Sequence, residues 1–351
     1  MDAPDRDAPR PTTLLDVARR AGVSRATASL VLRDSPAITA ATRARVEVAM
    51  AELGYVYNRG AARLRAARSQ TIGVLLPNLT NPFFATLLAG VEDRVESARL
   101  SVFLGNCNED VARQDLFVTR MREHGVDGLI ICPVENTPPE AIEKLTGQRV
   151  PLVQLLRHVE GSVSDFAGVD FAALTAAATE RLIALGHRRI AFVSGNQRHS
   201  VQEERLAGFS EAMAASGLDA SLIIEIPLTH ADGRAAAPSL VKRSDPPTAI
   251  LCFNDVVALG LHRGLIDLGV AIGREVSIVG IDNVAECDLV VPGLASVATQ
   301  PFRIGSHAAD LLLRRLKDPT APIERRIEPS YFVPRGSCGP APDTAAAFLA
   351  R

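Results

Sequence analysis

The sequence predicts a small all-α helix-turn-helix domain followed by a two-lobed α/β domain with parallel sheets. Two capped helical patterns separated by Gly22 predict the first domain. From residue 71 onward, short apolar runs alternate with helical patterns, which is typical of parallel strands connected by helices. These runs are too numerous for one comfortable sheet of this kind, so we expect two lobes.

The first helical pattern begins at Thr13, which Asp16 follows three residues later. The threonine oxygen can accept a free amide of the first turn, and the aspartate suits the positive end of the helix, although glutamate or glutamine is commoner there. Gly22 permits a sharp turn, and Ser24 can cap a second helix. The inward positions are Leu14, Val17, Ala18, Ala21, Ala28, Val31 and Leu32. The outward positions of the second helix are Arg25, Ala26, Ser29 and Arg33.

A third helix is predicted from a cap at Thr39 to a stop at Gly54, with an apolar stripe of Val46, Met50 and Leu53. The charge of this region differs from that of the whole chain. Residues 12–68 contain ten arginines and four carboxylates, a net charge of +6, whereas the whole chain carries −2. Segregated positive charge is the electrostatic signature of nucleic-acid binding. The alternative is a solvated, arginine-rich helical cap.

Length and composition predict a cytoplasmic protein. The 351 residues suffice for a small domain and a larger body, and 47% hydrophobic with 22% charged residues is ordinary for a globular chain. No apolar run approaches the ~20 residues of a membrane span, and residues 1–10 lack the apolar core of an export signal. Five scattered cysteines predict buried reduced thiols, and no metal or cofactor is expected.

The region from residue 71 contains eight apolar runs rich in valine, isoleucine and leucine, as strands buried on both faces must be. The predicted strands are Ile72–Leu76, Ser101–Leu104, Gly128–Cys132, Pro151–Leu156, Arg189–Ser194, Leu222–Ile226, Ala249–Phe253 and Val276–Ile281. The helical patterns between and after them include Phe83–Ala98, Ala172–Leu185, Glu203–Ser216, Val256–Leu268 and Phe302–Leu316.

Residues 12–57 resemble the headpiece of the lactose/galactose-repressor family of bacterial transcription regulators. The resemblance depends on a long and specific motif. Its residues are Asp16-Val17-Ala18, Ala21-Gly22-Val23-Ser24, Thr27, Ser29, Val31-Leu32, Thr42-Arg43 and Glu52-Leu53-Gly54-Tyr55. The resemblance implies that the second helix enters the major groove of double-stranded operator DNA.

By this resemblance, Arg25, Ala26 and Leu30 face base edges. The other DNA-binding candidates on this domain hold phosphates or the helix itself, and they are Thr13, Ser24, Thr27, Ser29 and Arg33. Leu30 departs from the family, whose members often have a polar or basic residue there. Leucine offers only apolar contact, for instance to a thymine methyl group, so Arg25 is expected to carry much of the polar recognition.

Residues 58–70 form a short, basic, alanine-rich segment that is marginal as an isolated helix. The family uses this segment as a hinge helix that forms on operator DNA and pairs with its dimer mate. Leu64 aligns with the leucine that wedges into the minor groove, and Asn58 and Arg63 join the DNA-binding candidates. The alternative is a plain flexible linker. Gly60 favours a helix that needs DNA to order it.

The resemblance extends to about Pro334 and implies a periplasmic-binding-protein-like effector domain. The expected organisation is a disordered arm (1–11), a DNA-binding domain (12–57), a hinge segment (58–70), an effector-binding and dimerisation domain (71–337) and a loose tail (338–351). Within the large domain, residues 71–168 and 299–329 would form the lobe nearer the DNA. Residues 169–298 and 330–337 would form the far lobe.

The helix start at Asn81-Pro82 follows the first strand, at the position where ligands bind in open α/β sheets. In the family, aromatic side chains at this place line the ligand cleft. Phe84 is therefore an effector-binding candidate, with a plain core position as the alternative.

Three polar residues are further effector-binding candidates. Arg205 matches a family arginine that holds oxygen atoms of the effector, and Asp282 matches a carboxylate that accepts its hydrogens. Asn254, after another strand, can both donate and accept. Capping or lobe bracing is the alternative for each. Leu156 and Phe171 stand where relatives often have aspartate and asparagine, so the ligand class stays open between sugars, the commonest family effectors, and purines or other metabolites.

These features predict a ligand-responsive transcription regulator, acting as a repressor, that binds a near-palindromic operator as a homodimer. Its allosteric effector would be a sugar or sugar derivative in the interlobe cleft, and it would be associated with the nucleoid. The alternative is a cytoplasmic small-molecule-binding α/β protein with a vestigial headpiece. The sequence lacks phosphate-loop, zinc-protease, nucleophile-elbow and dinucleotide-binding motifs, so an enzyme is not expected. The sequence leaves open the identity of the effector and whether it releases the protein from DNA or helps it bind. The operator sequence and the choice between dimer and tetramer also stay open.

Overall fold

The computed structural model describes residues 10, 12–32, 34–56, 69–148 and 150–342. The chain divides into two compact units, residues 1–69 and residues 70–351. Residues 58–68 of the predicted hinge and nearly all of the predicted arm lie outside the described residues. In the part of the chain that is described, no helix is both long and apolar enough to span a membrane.

The first unit contains the three predicted helices. They are α1 (Leu14–Arg20), α2 (Arg25–Leu32) and α3 (Ala40–Glu52). Gly22, between α1 and α2, has φ +64°, and Gly54, after α3, has φ +57°, a left-handed conformation that glycine adopts without strain. The apolar faces meet in a small core of Val17, Ala18, Ala21, Ala28, Val31, Val46 and Ala49. The predicted helix-turn-helix domain is confirmed.

The second unit alternates strands and helices. Its strands are β1 (Thr71–Leu76), β2 (Ser101–Asn106), β3 (Gly128–Ile131), β4 (Leu152–Leu155), β5 (Asp165–Gly168), β6 (Ile190–Gly195), β7 (Ile223–Ile226), β8 (Ala249–Cys252), β9 (Ser277–Asp282), β10 (Ala295–Ala298), β11 (Arg325–Ile327) and β12 (Tyr331–Val333). Its described helices are α4 (Pro82–Ser97), α5 (Val111–Glu123), α6 (Pro139–Gly147), α7 (Phe171–Ala184), α8 (Ser200–Ala215), α9 (His230–Val241), α10 (Asp255–Asp267) and α11 (Pro301–Lys317).

The strands form two six-stranded sheets, each the centre of one lobe. The first lobe has the order β11-β5-β4-β3-β1-β2, and the second has the order β12-β10-β9-β8-β6-β7. All pairings are parallel except that of β12 with β10. The predicted pair of parallel sheets is therefore confirmed, with one antiparallel edge strand that was not expected.

Four strands, β5, β10, β11 and β12, were not predicted. Each is only three or four residues long, and none has the long apolar run of a central strand. Two of them, β11 and β12, are sheet edges whose residues are partly solvated. Their place in the sheets follows from long-range pairing, which a local pattern does not reveal.

The chain passes between the lobes three times, after β5, after β10 and after β11. The three crossing segments are hydrogen-bonded to one another. The Glu328 amide donates to the Gly168 carbonyl at 2.8 Å, and the Gln300 side chain donates to the Pro329 carbonyl at 2.8 Å. The lobes are thus joined by a narrow, three-segment connection beside the cleft that separates them.

The predicted loose tail is wrong for its first residues. The Ala341 amide donates to the Leu185 carbonyl at 2.9 Å, and the Gly339 amide donates to the Ser277 hydroxyl at 3.0 Å. The buried His187 bridges Thr248 and the Gly339 carbonyl, at 2.9 and 3.0 Å. These bonds tie the chain to the second lobe as far as Ala341. The predicted burial of the thiols is confirmed for Cys107, Cys132, Cys252 and Cys287, while Cys338 is partly exposed.

Candidate functional site

The first candidate site is the outer face of the helix-turn-helix. Thr13 caps α1, since its amide donates to the Asp16 carboxylate at 3.0 Å and its hydroxyl accepts from the Asp16 amide at 3.4 Å. The hydrogen bonds from Thr13 lower the pKa of Asp16. Ser24 accepts from the Thr27 amide at 3.0 Å, and the two hydroxyls lie 2.9 Å apart. These bonds fix where α1 and α2 begin.

The candidates on α2 differ in exposure. Ser24, Arg25 and Ala26 are exposed, whereas Thr27, Ser29 and Leu30 are half-buried. Arg25 forms no ion pair within the described residues, unlike Arg20 and Arg43 of the same unit, which pair with Glu52 and Asp34. The guanidinium of Arg25 is therefore presented to solvent at the start of α2. The candidates Arg33, Asn58, Arg63 and Leu64 lie outside the described residues.

The second candidate site is a cavity of about 420 Å³ between the lobes of the second unit. It lies at the carboxyl ends of strands from both sheets, the usual ligand position in open α/β folds. Phe84, Arg205, Asn254 and Asp282, the four effector-binding candidates, all line it. The structure thus brings together residues that are up to 198 positions apart in the sequence.

Arg205, on α8, is the central cation of the cleft. The aromatic rings of Phe171 and Phe253 lie 4.6 and 4.2 Å from its guanidinium carbon, and one Nη donates to the Phe253 carbonyl. The other Nη is 3.7 Å from the Asp282 carboxylate. Its Nε is buried and has no partner among the described residues. Burial lowers the pKa of Arg205 to about 10, so the side chain stays charged at neutral pH.

Asp282 is the last residue of β9. Its backbone φ of +118° is a strained conformation for any residue other than glycine. Its carboxyl group accepts a hydrogen bond from Asn81, which belongs to the other lobe. Burial raises the pKa of Asp282 to about 8, although Arg205 opposes the shift. Burial therefore favours the protonated form of this carboxyl group.

Asn254 and Phe84 have structural duties as well. The Asn254 side-chain oxygen caps α10 by accepting from the Val257 amide at 3.0 Å, which leaves both hydrogens of its side-chain nitrogen available to a ligand. Phe84 is buried and packs edge-on against Phe83, with ring centroids 5.2 Å apart. Asn254 therefore caps a helix and Phe84 packs in the core, as the structural alternatives predicted, and both residues also line the cavity.

The structure adds three polar residues that the sequence did not single out as candidates. Arg157 and Glu109 of the first lobe form a bidentate pair at 2.7 and 2.8 Å, which occupies both carboxylate oxygens. His199 caps α8 by accepting from the Gln202 amide at Nδ1, and its Nε2 is buried without a partner among the described residues. Burial lowers the pKa of His199 to about 2. The sequence did contain one indication of His199 as a site residue. It is a polar residue in the loop between the predicted strand Arg189–Ser194 and the helix that contains Arg205.

Known proteins resemble both parts of the chain. Residues 13–58 match the model of bacterial regulatory proteins of the lacI family, and residues 179–338 match a periplasmic binding protein-like domain. Catabolite control protein A of Priestia megaterium is 31% identical over 311 residues, which is 88% of this chain and 93% of that protein.

Two solved structures are similar to this chain, one over nearly its whole length and one over about three quarters of it. The lac repressor dimer bound to operator and an anti-inducer is 27% identical with a TM-score of 0.84, over 94% of this chain and all of that chain. A lacI-family regulator from Enterococcus faecium with bound ribose is 31% identical with a TM-score of 0.69, over 77% of this chain and 99% of that chain.

Proposed function

The chain belongs to the lacI family of bacterial regulatory proteins, and on that premise we propose that it is a repressor whose operator affinity is set by a small molecule in the interlobe cleft. One observation carries the proposal. A single chain holds both a capped helix-turn-helix with an exposed arginine and a cleft built around a buried arginine. A regulator needs the first to bind DNA and the second to sense a metabolite.

We assign DNA recognition to the outer face of α2. Arg25 would donate to base edges, with Ala26 and Leu30 in apolar contact, while Ser24 and Thr13 would hold phosphates near their helix starts. A homodimer would place two such helices on the halves of a near-palindromic operator. The lac repressor structure, a dimer on operator, supports this arrangement.

We assign effector binding to Phe84, Arg205, Asn254 and Asp282. The ribose complex of the related Enterococcus faecium regulator supports a carbohydrate-like effector here. Two bonds already cross the cleft, from Asn81 to Asp282 and from the His158 amide to the Ser200 hydroxyl at 3.2 Å. A ligand that favours one separation of the lobes would shift the equilibrium between lobe arrangements.

The hinge segment would pass this change to the DNA. We propose that the arrangement of the lobes determines whether the hinge segments of the two protomers can pair. Leu64 would then enter the minor groove in only one of the two lobe arrangements. A catalytic role is not proposed, because the relatives are transcription regulators and the buried polar groups of the cleft serve one another or a ligand. The site of action would be the cytoplasm, where the operator is.

The experiment is a selection from fragmented genomic DNA of the source organism at moderate salt. We expect the full chain to enrich fragments that share one near-palindrome. Enrichment must change when the small-molecule fraction of a cell extract is added, since the effector shifts operator affinity. Uniform retention of all fragments, with and without the extract, would favour a vestigial headpiece and contradict the proposal.

A further inference from the structure

The polar groups of the cleft differ in how far other protein atoms already satisfy them. We propose that the ligand carries a carboxylate, held by His199 and Arg205, and is thus a sugar acid and not a neutral sugar. This inference rests on the proposed function, since it names the chemical class of the effector. It depends on which buried donors and acceptors are still unpaired.

The first unpaired donor is the His199 ring. A backbone amide can only donate, so the bond from the Gln202 amide requires Nδ1 to be unprotonated. The neutral imidazole must then carry its hydrogen on Nε2. That atom is buried and unpartnered within the described part of the chain, and the side chain lines the cavity. A buried donor without a partner is costly, so a ligand oxygen that accepts from it gains affinity.

The second unpaired donor is Nε of Arg205, which is likewise buried without a partner among the described residues. One Nη bonds the Phe253 carbonyl, and the other faces Asp282 at 3.7 Å, beyond hydrogen-bonding distance. The guanidinium therefore keeps donor capacity, and both it and the His199 ring lie against the ring of Phe253, at 4.2 and 6.2 Å from its centroid. Paired donors on a cation match a carboxylate better than they match a hydroxyl group.

Several acceptors of the cleft already receive hydrogen bonds from the protein. Both Glu109 oxygens bind Arg157, and the side-chain oxygens of Asn81 and Asn254 cap α4 and α10. A neutral sugar needs acceptors for its hydroxyl hydrogens as well as donors for its oxygens. Among the described residues that line the cavity, the buried side-chain atoms without a partner are Nε2 of His199 and Nε of Arg205. Both are donors, which favours a ligand rich in acceptor oxygens.

Helix dipoles add to this preference. Four residues that line the cavity are N-caps, each at the start of a helix of at least 12 residues: Asn81, His199, Thr229 and Asn254. The amino end of a helix carries partial positive charge and stabilises a nearby anion. The four ends converge on one cavity.

The charged side chains that line the cavity are Glu109, Arg157, Arg205 and Asp282. The first two form a bidentate pair and cancel each other. Burial raises the pKa of Asp282, which favours the neutral form of its carboxyl group and leaves the charge of Arg205 less compensated. An anionic ligand supplies compensating charge, and the neutral form of Asp282 can donate a hydrogen bond to it.

Isothermal titration calorimetry on the full chain at pH 7 tests the inference with matched pairs of acid and neutral sugar. The pairs are glucuronate and glucose, galacturonate and galactose, and ribonate and ribose, with sodium acetate as the control for unspecific anion effects. We expect at least one acid to bind about tenfold or more tightly than its neutral partner, the effect of a hydrogen bond to a charged group.

The variant His199→Ser keeps an oxygen that can cap α8 but lacks the reach of Nε2. It should weaken the acid by about tenfold while changing neutral-sugar affinity less than about twofold. The control His262→Ser removes another buried histidine of the second lobe, outside the cavity, and should leave both affinities unchanged. The melting temperature without ligand shows whether each variant folds.

The inference is overturned if no acid binds more tightly than its neutral partner, including the case in which no compound of the panel binds. A neutral sugar that binds and changes operator retention overturns the inference but keeps the proposed function. If neither the panel nor a cell extract changes operator retention, the proposed function fails as well. Equal weakening of acid and neutral sugar in His199→Ser also counts against the carboxylate.

Discussion

A charged side chain acts differently on the exposed face of α2 and inside the cleft. On α2, solvent screens the charge of Arg25, and in the proposed complex with DNA its contribution would depend on the base that it contacts. In the cleft, Arg205 and Asp282 are nearly inaccessible to solvent, and their charges respond to each other and to burial. Substitutions on α2 are therefore expected to change DNA affinity, whereas substitutions in the cleft are expected to change the pH dependence of stability.

Arg25→Ala should reduce affinity for the selected operator by about 1–3 kcal/mol, because a guanidinium that bonds a base edge is lost. Arg19→Ala, which removes the same charge from the exposed side of α1, is the matched control. We expect the control to weaken operator and random DNA equally. Fluorescence anisotropy with both DNAs measures the ratio, and a uniform loss in Arg25→Ala would contradict base recognition.

Asp282→Asn should remove part of the pH dependence of stability. The folded-state pKa of Asp282 is raised by burial from 3.8 to about 8, so the folded protein binds the proton more tightly than the unfolded chain. The stabilisation is complete below pH 3.8 and is lost as pH rises to about 8, with a slope of at most about 1.4 kcal/mol per pH unit. The asparagine variant should therefore gain stability relative to wild type as pH rises.

Urea unfolding between pH 5 and 8.5 measures this difference. Burial also raises the pKa of Asp255, to about 6, and the charge of Asp255 is one of the causes that raise the pKa of Asp282, so the two groups titrate together. The difference between the two stability curves therefore measures the removal of Asp282 from this coupled pair. Parallel stability curves for wild type and Asp282→Asn would show that the Asp282 carboxyl group is ionised throughout the range.

At the scale of elements, glycines let helices pack closely within each lobe. A Cβ on Gly90 of α4 would collide with the Phe302 carbonyl of α11, and one on Gly305 of α11 would collide with the Leu87 carbonyl of α4. Backbone carbonyls of a neighbouring helix approach glycines equally closely between α7 and α8, at Gly208, and between α9 and α10, at Gly233 and Gly260. Backbone-to-backbone approach of this kind leaves no room for a side chain.

Gly90→Ala should therefore destabilise the protein by about 1–3 kcal/mol or more, since the helices must separate to admit the methyl group. Gly147→Ala, also a helical position, is the matched control because a Cβ there meets nothing within 4 Å. The control should stay within about 0.5 kcal/mol of wild type. Midpoints of urea unfolding compare the three proteins, and equal midpoints would refute the packing argument.

The elements that the sequence predicted are those with strong local patterns. Apolar runs such as Ile72–Leu76 are long enough to indicate a buried strand, and caps such as Thr13 and Asn81 fix helix starts within a residue. Strands such as β11, with two arginines in three residues, exist only because β5 pairs with them. Local periodicity contains no information on such pairing.

The cleft was predictable in part for the same reason. Arg205 and Asp282 lie in recognisable motifs, and the structure places both in one cavity. The unpaired Nε2 of His199 could not be predicted, because it depends on which neighbours surround the ring in three dimensions. The pairing of Arg157 with Glu109, which are 48 positions apart, is hidden from the sequence in the same way.

At the scale of the whole molecule, the proposed coupling requires the hinge segment. Leu64→Ser should reduce operator affinity by about tenfold or more, because a polar side chain cannot replace an apolar wedge between base steps. Leu15→Ser, an exposed leucine of α1, is a control with the same chemical change. Gel-shift titration measures both variants, and an unchanged affinity in Leu64→Ser would rule out the wedge in this protein.

The central claim is that occupancy of the cleft controls operator binding. Its most direct test is the dissociation constant for the selected operator with and without the small-molecule fraction of a cell extract, in wild type and in Arg205→Lys. We predict that the extract changes the wild-type constant by about fivefold or more, in either direction, and leaves the variant unchanged, while both bind operator without extract. An identical response of wild type and variant, or no response in wild type, would contradict control through this cleft.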